Sequence, residues 1–331
     1  MLNNKTILIT GGTGSFGVKF SKLAVKQYNP KKIIIYSRDE FKQYNLKNQD
    51  FFKKNSNFFR FFVGDVRDKL RLIDATKNVD IVIHAAALKQ VETSEYNPAE
   101  FIKTNIQGAS NLIEACIYNK VKKVVALSTD KAVSPVNLYG ATKLCSDKLF
   151  ISSNNYYGAE ETIFSVLRYG NVLGSRGSVV PFFKSFKKDS VFPITDPDMT
   201  RFNILLEEGI QFVFDCIKIM EGTEIFVPKI KSYKILDLLQ SIAPNAKTKI
   251  VGIRSGEKIH EEMVSTNDSI STIEFNKFFI IYPLKILDQK KYINFIKKFK
   301  GKKVKKGFSY NSKNNIFLSV NEIKKLINTL E

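Results

Sequence analysis

Tryptophan is absent from the 331 residues, histidine occurs only twice (His84 and His260), and cysteine three times (Cys116, Cys145 and Cys216). The cysteines stand far apart with no C-x-x-C spacing, so neither a zinc site nor a disulfide framework is expected, and no metal is assigned. Long apolar runs are missing too. The best candidate, Phe278–Leu287, is broken by Pro283 and Lys285 and falls short of the ~20 residues a bilayer crossing needs. The first strand-like run, Thr6–Thr10, leaves no room for a charged and apolar leader, so the expected compartment is the reducing cytoplasm. Acidic residues are a minority, 32 against 52 lysines and arginines, giving a net charge of +20. Such an excess suits nucleic acid, an anionic membrane face or an anionic small substrate. Lys, Asn, Ile and Phe are abundant throughout, and no stripe of aromatics and arginines offers itself to bases. Neither a nucleic-acid nor a membrane partner is therefore expected. The densest basic run, Lys290–Lys306, reads as a solvated face, with a binding patch as the alternative.

What is present is a globular composition, 44% hydrophobic and 25% charged, in a chain longer than one ordinary domain. Short β-branched runs recur at Thr6–Thr10, Lys32–Ser37, Phe59–Gly64, Asp80–Ala85, Lys123–Ser128 and Phe164–Arg168, each followed by a segment with helical spacing. Strands alternating with helices predict an α/β fold with a doubly wound parallel sheet. Ile33-Ile34-Ile35 and Ile81-Val82-Ile83 are apolar on consecutive residues, as strands buried on both faces are. After Arg168 the rhythm breaks at Gly170, Gly174, Gly177 and Pro181, which marks loops and a change of domain. A helix over Leu205–Met220 and a strand over Glu224–Val227 then return to the sheet. The expected division is a nucleotide-binding (Rossmann) domain of 1–170 plus about 203–228. A smaller, discontinuous substrate domain takes about 171–202 plus 229–331.

The first strand runs into Gly11-Gly12-Thr13-Gly14-Ser15-Phe16-Gly17, which holds both G-x-G-x-x-G and G-x-x-G-x-x-G, and Val18–Gln27 supplies the helix that such a turn should open. Glycines let the backbone approach a pyrophosphate, and the helix N-terminus offers it unpaired N–H groups. A second strand ending Ile35-Tyr36-Ser37-Arg38-Asp39 stands where the adenosine ribose is read. A guanidinium there suits a 2′-phosphate, so NADP is the expected cofactor, with Lys42 assisting, while Asp39 points the other way. Asp65 and Val66 close the third strand beside the adenine, Asp65 having a helix N-cap as its alternative role. Ala85, Ala86 and Ala87 end the fourth strand with side chains small enough for close approach.

The fifth strand delivers Thr129, Asp130 and Lys131 at its carboxyl end, the ligand edge of an open sheet. Tyr139 and Lys143 follow at a spacing that puts them one turn apart on one helix face. A phenol must fall by ~3 pH units to act as a base at neutral pH, and the ammonium with a bound nicotinamide can supply that.

These residues resemble the extended short-chain dehydrogenase/reductases that act on nucleotide sugars, and more narrowly the inverting UDP-N-acetylglucosamine 4,6-dehydratases of pseudaminic acid biosynthesis. The resemblance rests on the strings 11–17, 36–40, 85–89, 128–132, 137–143, 168–172, 199–202 and 254–258. It covers nearly the whole chain, with 288–315 less typical and loop departures at Glu92-Thr93 and Ser134. It implies UDP-N-acetylglucosamine as substrate, Tyr139 as the base at the carbon-4 hydroxyl, and Lys131 as the base at carbon 5. Asp130 would be the acid at the carbon-6 hydroxyl. Lys89, Asn171, Thr195, Met199, Arg201, Arg254 and Glu257 would hold the sugar nucleotide, and Val172 the cofactor. Arg201 and Arg254 have surface salt bridging as their alternative, Asp130 and Lys131 a simple ion pair. Asn105 would orient either cofactor or backbone, or sit satisfied in the core. The family forms dimers and hexamers, so a homo-oligomer is implied. A retaining dehydratase, a 4-epimerase or reductase, and a non-enzymatic NADP-binding sensor or scaffold remain as competing readings.

Overall fold

The structure is a computed structural model that describes residues 1–156, 161–175, 177–187, 190–282 and 289–330. Pro283 and Lys285 of the apolar run lie outside these. Seven strands form a continuous parallel sheet: β1 Thr6–Thr10, β2 Lys32–Ser37, β3 Phe59–Val63, β4 Ile81–His84, β5 Lys123–Thr129, β6 Ile163–Tyr169 and, after a long excursion, Ile225–Pro228. The spatial order 3-2-1-4-5-6 reverses between β1 and β4, the switch point of a Rossmann fold. The α/β class and the strand positions follow the sequence reading to within one or two residues.

Alternation along the strands divides the core in two. Ile7, Ile9, Ile33 and Ile35 pack with Phe20 and Ala24 of the helix Ser15–Gln27 and with Phe214 of the helix Leu206–Ile219. Leu8, Ile34, Val82 and Val124 face the other way, onto Leu112, Ala115 and Cys116 of the helix Gly108–Tyr118. A third cluster, with Leu173, Phe183, Tyr233, Leu238 and Ile323, underlies the smaller unit.

That unit supplies β7 Asn171–Val172, β8 Val191–Ile194 and β9 Thr200–Ile204 before the strand Ile225–Pro228, which is β10. Beyond it come β11 Ser232–Lys234, β12 Lys247–Ile250, β13 Glu262–Val264, β14 Thr272–Glu274, β15 Phe278–Ile281, β16 Lys302–Lys303 and β17 Tyr310–Asn311. One expectation needs correction here. β15, β14 and β16 do not stay in the smaller unit but add antiparallel beyond β10, bringing the large sheet to ten strands. The apolar run that begins at Phe278 is the reason: Phe279 and Ile281 enter one core and Ile280 the other, as a two-sided strand requires. No helix among the described residues is long and apolar enough to cross a membrane.

Candidate active site

Every element that ends at the carboxyl edge of β1, β4, β5 and β6 opens into one cleft of about 1690 Å³, larger than the ~300–1,000 Å³ of a single small-ligand pocket. On one side Gly11 turns at φ +67°, where a Cβ would stand 3.0 Å from the backbone of Ala86. A Cβ on Gly17 would stand 2.5 Å from Gly12, so only glycine lets the first helix pack this closely against the turn. Gly14 is the N-cap of that helix and brings no side-chain acceptor, leaving the first-turn N–H groups open to an anion. Thr13, Ser15, Phe16, Lys42, Ala85, Ala86, Lys89 and Val172 line the cleft with Gly11 and Gly14. The turn, the bare N-terminus and the alanines fit a dinucleotide.

The residues at the ribose end behave unevenly. Ser37 is buried and its hydroxyl meets that of Thr13 at 2.9 Å. The Arg38 guanidinium is exposed and lies 3.9 Å from Asp65. Asp39 accepts from the Lys42 backbone at 2.9 Å and pairs with its ammonium at 2.7 Å, capping the helix Glu40–Lys47. Each of its two oxygens is thereby engaged by Lys42. Asp65 does not cap a helix: its carboxylate grips Arg67, and the cap of the helix Lys69–Ala75 is Asp68. Val66 belongs to the core, pressed under Gly108. Of these only Lys42 reaches the cleft wall.

The parallel register of β5 with β6 sets Thr129 beside Tyr169, so the chain passes Asp130 next to Gly170. Asp130 is completely buried. Its Oδ1 accepts from the Thr129 hydroxyl at 3.0 Å and from the Lys131 ammonium at 3.1 Å. Oδ2 has no partner and lies where a Cβ on Gly170 would come within 3.2 Å. Burial raises this carboxyl, although the Lys131 charge pulls it back, which suits an acid. Tyr139 and Lys143 open the helix Leu138–Tyr156, held by Asn137, whose side-chain Oδ1 accepts from Gly140 N at 2.7 Å. Lys143 donates to the Leu127 carbonyl at 2.8 Å, and burial lowers its ammonium while Asp147 supports it.

The charges at the site are set by burial and by residues distant in sequence. The Tyr139 phenol is pushed up to about 12 by burial, and the groups working against that are Lys131 and the Thr129 hydroxyl, not Lys143. A base at carbon 5 has to part with its proton, and a lowered Lys131 would do so readily. Burial does act to lower it, but the carboxylates of Asp130 and Glu261 win and hold it charged. Glu261, just before β13, contacts the ammonium at 3.0 Å, and Asn171 accepts from it at 3.3 Å. Arg201 is buried, not a surface salt bridge. It donates to the carbonyls of Thr200 and Ile259 at 2.8 and 3.0 Å and approaches Glu261 at 3.8 Å. Asn171, Thr195, Met199, Arg201, Arg254 and Glu257 all line the cleft, Arg254 being exposed there. Asn105 serves backbone and helix: it bonds both polar groups of Leu88 at 2.9 Å and the Thr142 hydroxyl at 3.0 Å.

Sequence reasoning missed Glu261 and the pair beneath the site, Asp147 and Arg168. Asp147 accepts from Ser128 at 2.8 Å and from Arg168 at 3.3 Å. The His260-Glu261-Glu262 string gives no signal, because only β13 geometry turns Glu261 inward and sends Glu262 to Ser309 and Ser134.

A family model described as polysaccharide biosynthesis protein matches residues 7–283. The inverting UDP-N-acetylglucosamine 4,6-dehydratase of Campylobacter jejuni (strain 81-176) is 56% identical, over all of this chain and 99% of its own. A UDP-glucose 4-epimerase of Rickettsia bellii is 39% identical over all of this chain and 97% of its own. Among solved structures, Pen from Bacillus thuringiensis aligns over the full length of both chains with a TM-score of 0.87 and 34% identity. The chain belongs to the polysaccharide biosynthesis protein family, as a full-length relative of the inverting UDP-N-acetylglucosamine 4,6-dehydratases.

Proposed function

We propose that this chain dehydrates UDP-N-acetylglucosamine at carbons 4, 5 and 6 with inversion at carbon 5, the reaction named for its 56% identical relative. The observation that carries the reading is the buried Asp130 and Lys131 pair beside Tyr139. An epimerase needs only the tyrosine and lysine. A carboxyl and an amine held at the same edge supply the acid and base that elimination demands.

Bound in the glycine-rich cleft, a nicotinamide supplies the acceptor and then the donor of hydride. Tyr139 removes the proton of the carbon-4 hydroxyl, its burial and the Lys131 charge fixing where that phenol sits. Once carbon 4 is a ketone, the carbon-5 proton is acidified and goes to Lys131 after that side chain has given up a proton of its own and become the neutral amine. Asp130, whose carboxyl burial raises against the pull of Lys131, would deliver a proton to the departing carbon-6 hydroxyl from Oδ2. Lys143 positions by charge and by its bond to Leu127, while Arg201 and Arg254 are suited to the diphosphate.

NADP is the cofactor in this reading, because Asp39 is committed to Lys42 while Arg38 stays exposed. A side pocket at the same end is lined by Lys19, Lys22 and Lys42. The parallel sheet would hold the cofactor, and 171–202 with most of the last third the sugar nucleotide. A cytoplasmic homo-oligomer, dimer or hexamer, and a product used for pseudaminic acid complete the reading.

Proton NMR of the reaction with UDP-N-acetylglucosamine in heavy water tests it. The expected result is loss of one water, deuterium at carbon 5 and the inverted 4-keto-6-deoxy sugar. A 4-epimer with no loss of water would favour the epimerase reading that the 39% identical relative suggests.

A further inference from the structure

Lys131 is gripped by more acid than a base should be. Its ammonium touches Asp130 at 3.1 Å, Glu261 at 3.0 Å and the Asn171 side-chain oxygen at 3.3 Å. Glu261 reaches it from a different part of the chain and is 2% exposed, yet its second oxygen, Oε2, has no partner. The residue nevertheless belongs to the wall of the cleft. Ser312 fixes its backbone, accepting from Glu261 N at 2.9 Å and donating its own N–H to Glu261 O at 2.8 Å. A buried carboxylate oxygen left bare is costly unless something reaches it during function.

We propose that Glu261 is a positioning residue that stores a proton for Lys131 during the exchange at carbon 5. This rests on Lys131 being the carbon-5 base. At rest the proton belongs to Lys131, because Lys131 and Arg201 hold the Glu261 carboxyl low against its burial; in the exchange step the ammonium N–H bond breaks across the 3.0 Å contact and an O–H bond forms on Glu261, leaving Lys131 a neutral amine. That amine then breaks the carbon-5 C–H bond and becomes ammonium again. The carbon-5 proton has in effect been moved onto the lysine and carboxylic acid pair, and the electron pair stays on the sugar enolate. No oxidant or further reactant enters. The charged and titratable groups facing this pair are Asp130, Tyr139 from its helix, Arg201 from β9, Tyr233 from β11 and Lys258. Asp130 also meets the ammonium with a buried, half-unpartnered carboxyl, but in this reading its proton goes to the carbon-6 hydroxyl, which leaves Glu261 to serve Lys131.

Internal storage makes base formation independent of bulk pH, so wild-type carbon-5 exchange should be flat across the neutral range. Glu261→Gln cannot take the proton. Its exchange rate at pH 7 should fall by about 100-fold and climb about tenfold per pH unit toward pH 9 as Lys131 ionises to solvent. Cofactor affinity, read by fluorescence, and KM for the sugar nucleotide should stay within about threefold of wild type, which separates storage from a folding defect. A flat or unaltered profile in Glu261→Gln overturns the proposal. Should that variant not fold, Glu261→Asp withdraws the carboxylate by one methylene. It should exchange about tenfold more slowly with the flat profile kept, and a wild-type rate overturns the proposal. Lys131→Ala, run in parallel, should exchange nothing. Normal exchange there would remove the reading on which Glu261 depends, whereas a silent Lys131→Ala beside an unaltered Glu261→Gln refutes Glu261 alone.

Discussion

Asp130→Asn is the most discriminating single change. Asparagine keeps one oxygen to accept from Thr129 and Lys131, as Oδ1 now does at 3.0 and 3.1 Å. Its amide nitrogen then occupies the position of Oδ2, where nothing accepts a hydrogen bond. An unsatisfied buried donor costs ~1–3 kcal/mol of stability, against the ~5–15 kcal/mol that holds a domain together, so the variant should fold and bind cofactor. The chemical loss is larger. An acid that protonates a leaving hydroxyl contributes ~10²–10⁴ in rate, or ~3–5.5 kcal/mol. Because only elimination needs that proton, oxidation at carbon 4 and exchange at carbon 5 should continue. The assay is therefore threefold: loss of water by mass, deuterium at carbon 5 by NMR, and the near-ultraviolet absorbance of reduced nicotinamide. The expected pattern is dehydration down by ~10²–10⁴, deuterium still entering, and reduced cofactor accumulating. Dehydration within about threefold of wild type would refute the assignment of Asp130 as acid. Loss of deuterium entry together with dehydration would assign the carboxyl to carbon 5 instead.

Two further outcomes follow from the geometry. Removing the exposed guanidinium with Arg38→Ala should weaken NADP by ~1.5–3 kcal/mol, the worth of a charge-assisted contact, while leaving NAD nearly unchanged; equal effects on both in a binding titration would show that Arg38 reads no 2′-phosphate. Glu224 is buried against Ser165 and the Glu221 and Gly222 amides, and burial raises its carboxyl to about 7. Its folded value exceeds its unfolded one, so its contribution is complete below the ordinary 4.5 and is lost as pH rises through about 7. Thermal melts from pH 5 to 8 should fall more steeply for wild type than for Glu224→Gln, and parallel curves would contradict the shift.

The parallel core was legible because its signals are local. Consecutive isoleucines in β2 and β4 announce burial on two faces, and the glycine turn announces its own strand and helix. Tyr139 and Lys143 share a helix face by spacing alone. Charge states were not legible, since they depend on residues far apart in sequence. A lone buried amine loses its proton, and only folding reveals that Glu261, 130 residues after Lys131, helps to keep that side chain charged. The three added edge strands were missed for a related reason. Short apolar runs in the last third fit either unit, and pairing with β10 decides between them. The alternative role of Arg201, surface salt bridging, is excluded by its burial, which its two carbonyl partners and Glu261 make tolerable.

Ser312 gives the molecule a sequence in time. Its hydroxyl ties Thr200 at 2.7 Å and Glu261 N at 2.9 Å, joining the strand that carries Arg201 to the segment that restrains Lys131. On a ribosome, the glycine turn and its helix emerge well before the segment that carries Ser312. The dinucleotide platform is thus built from the first part of the chain, while the restraint on Lys131 waits for the part that carries Glu261 and Ser312.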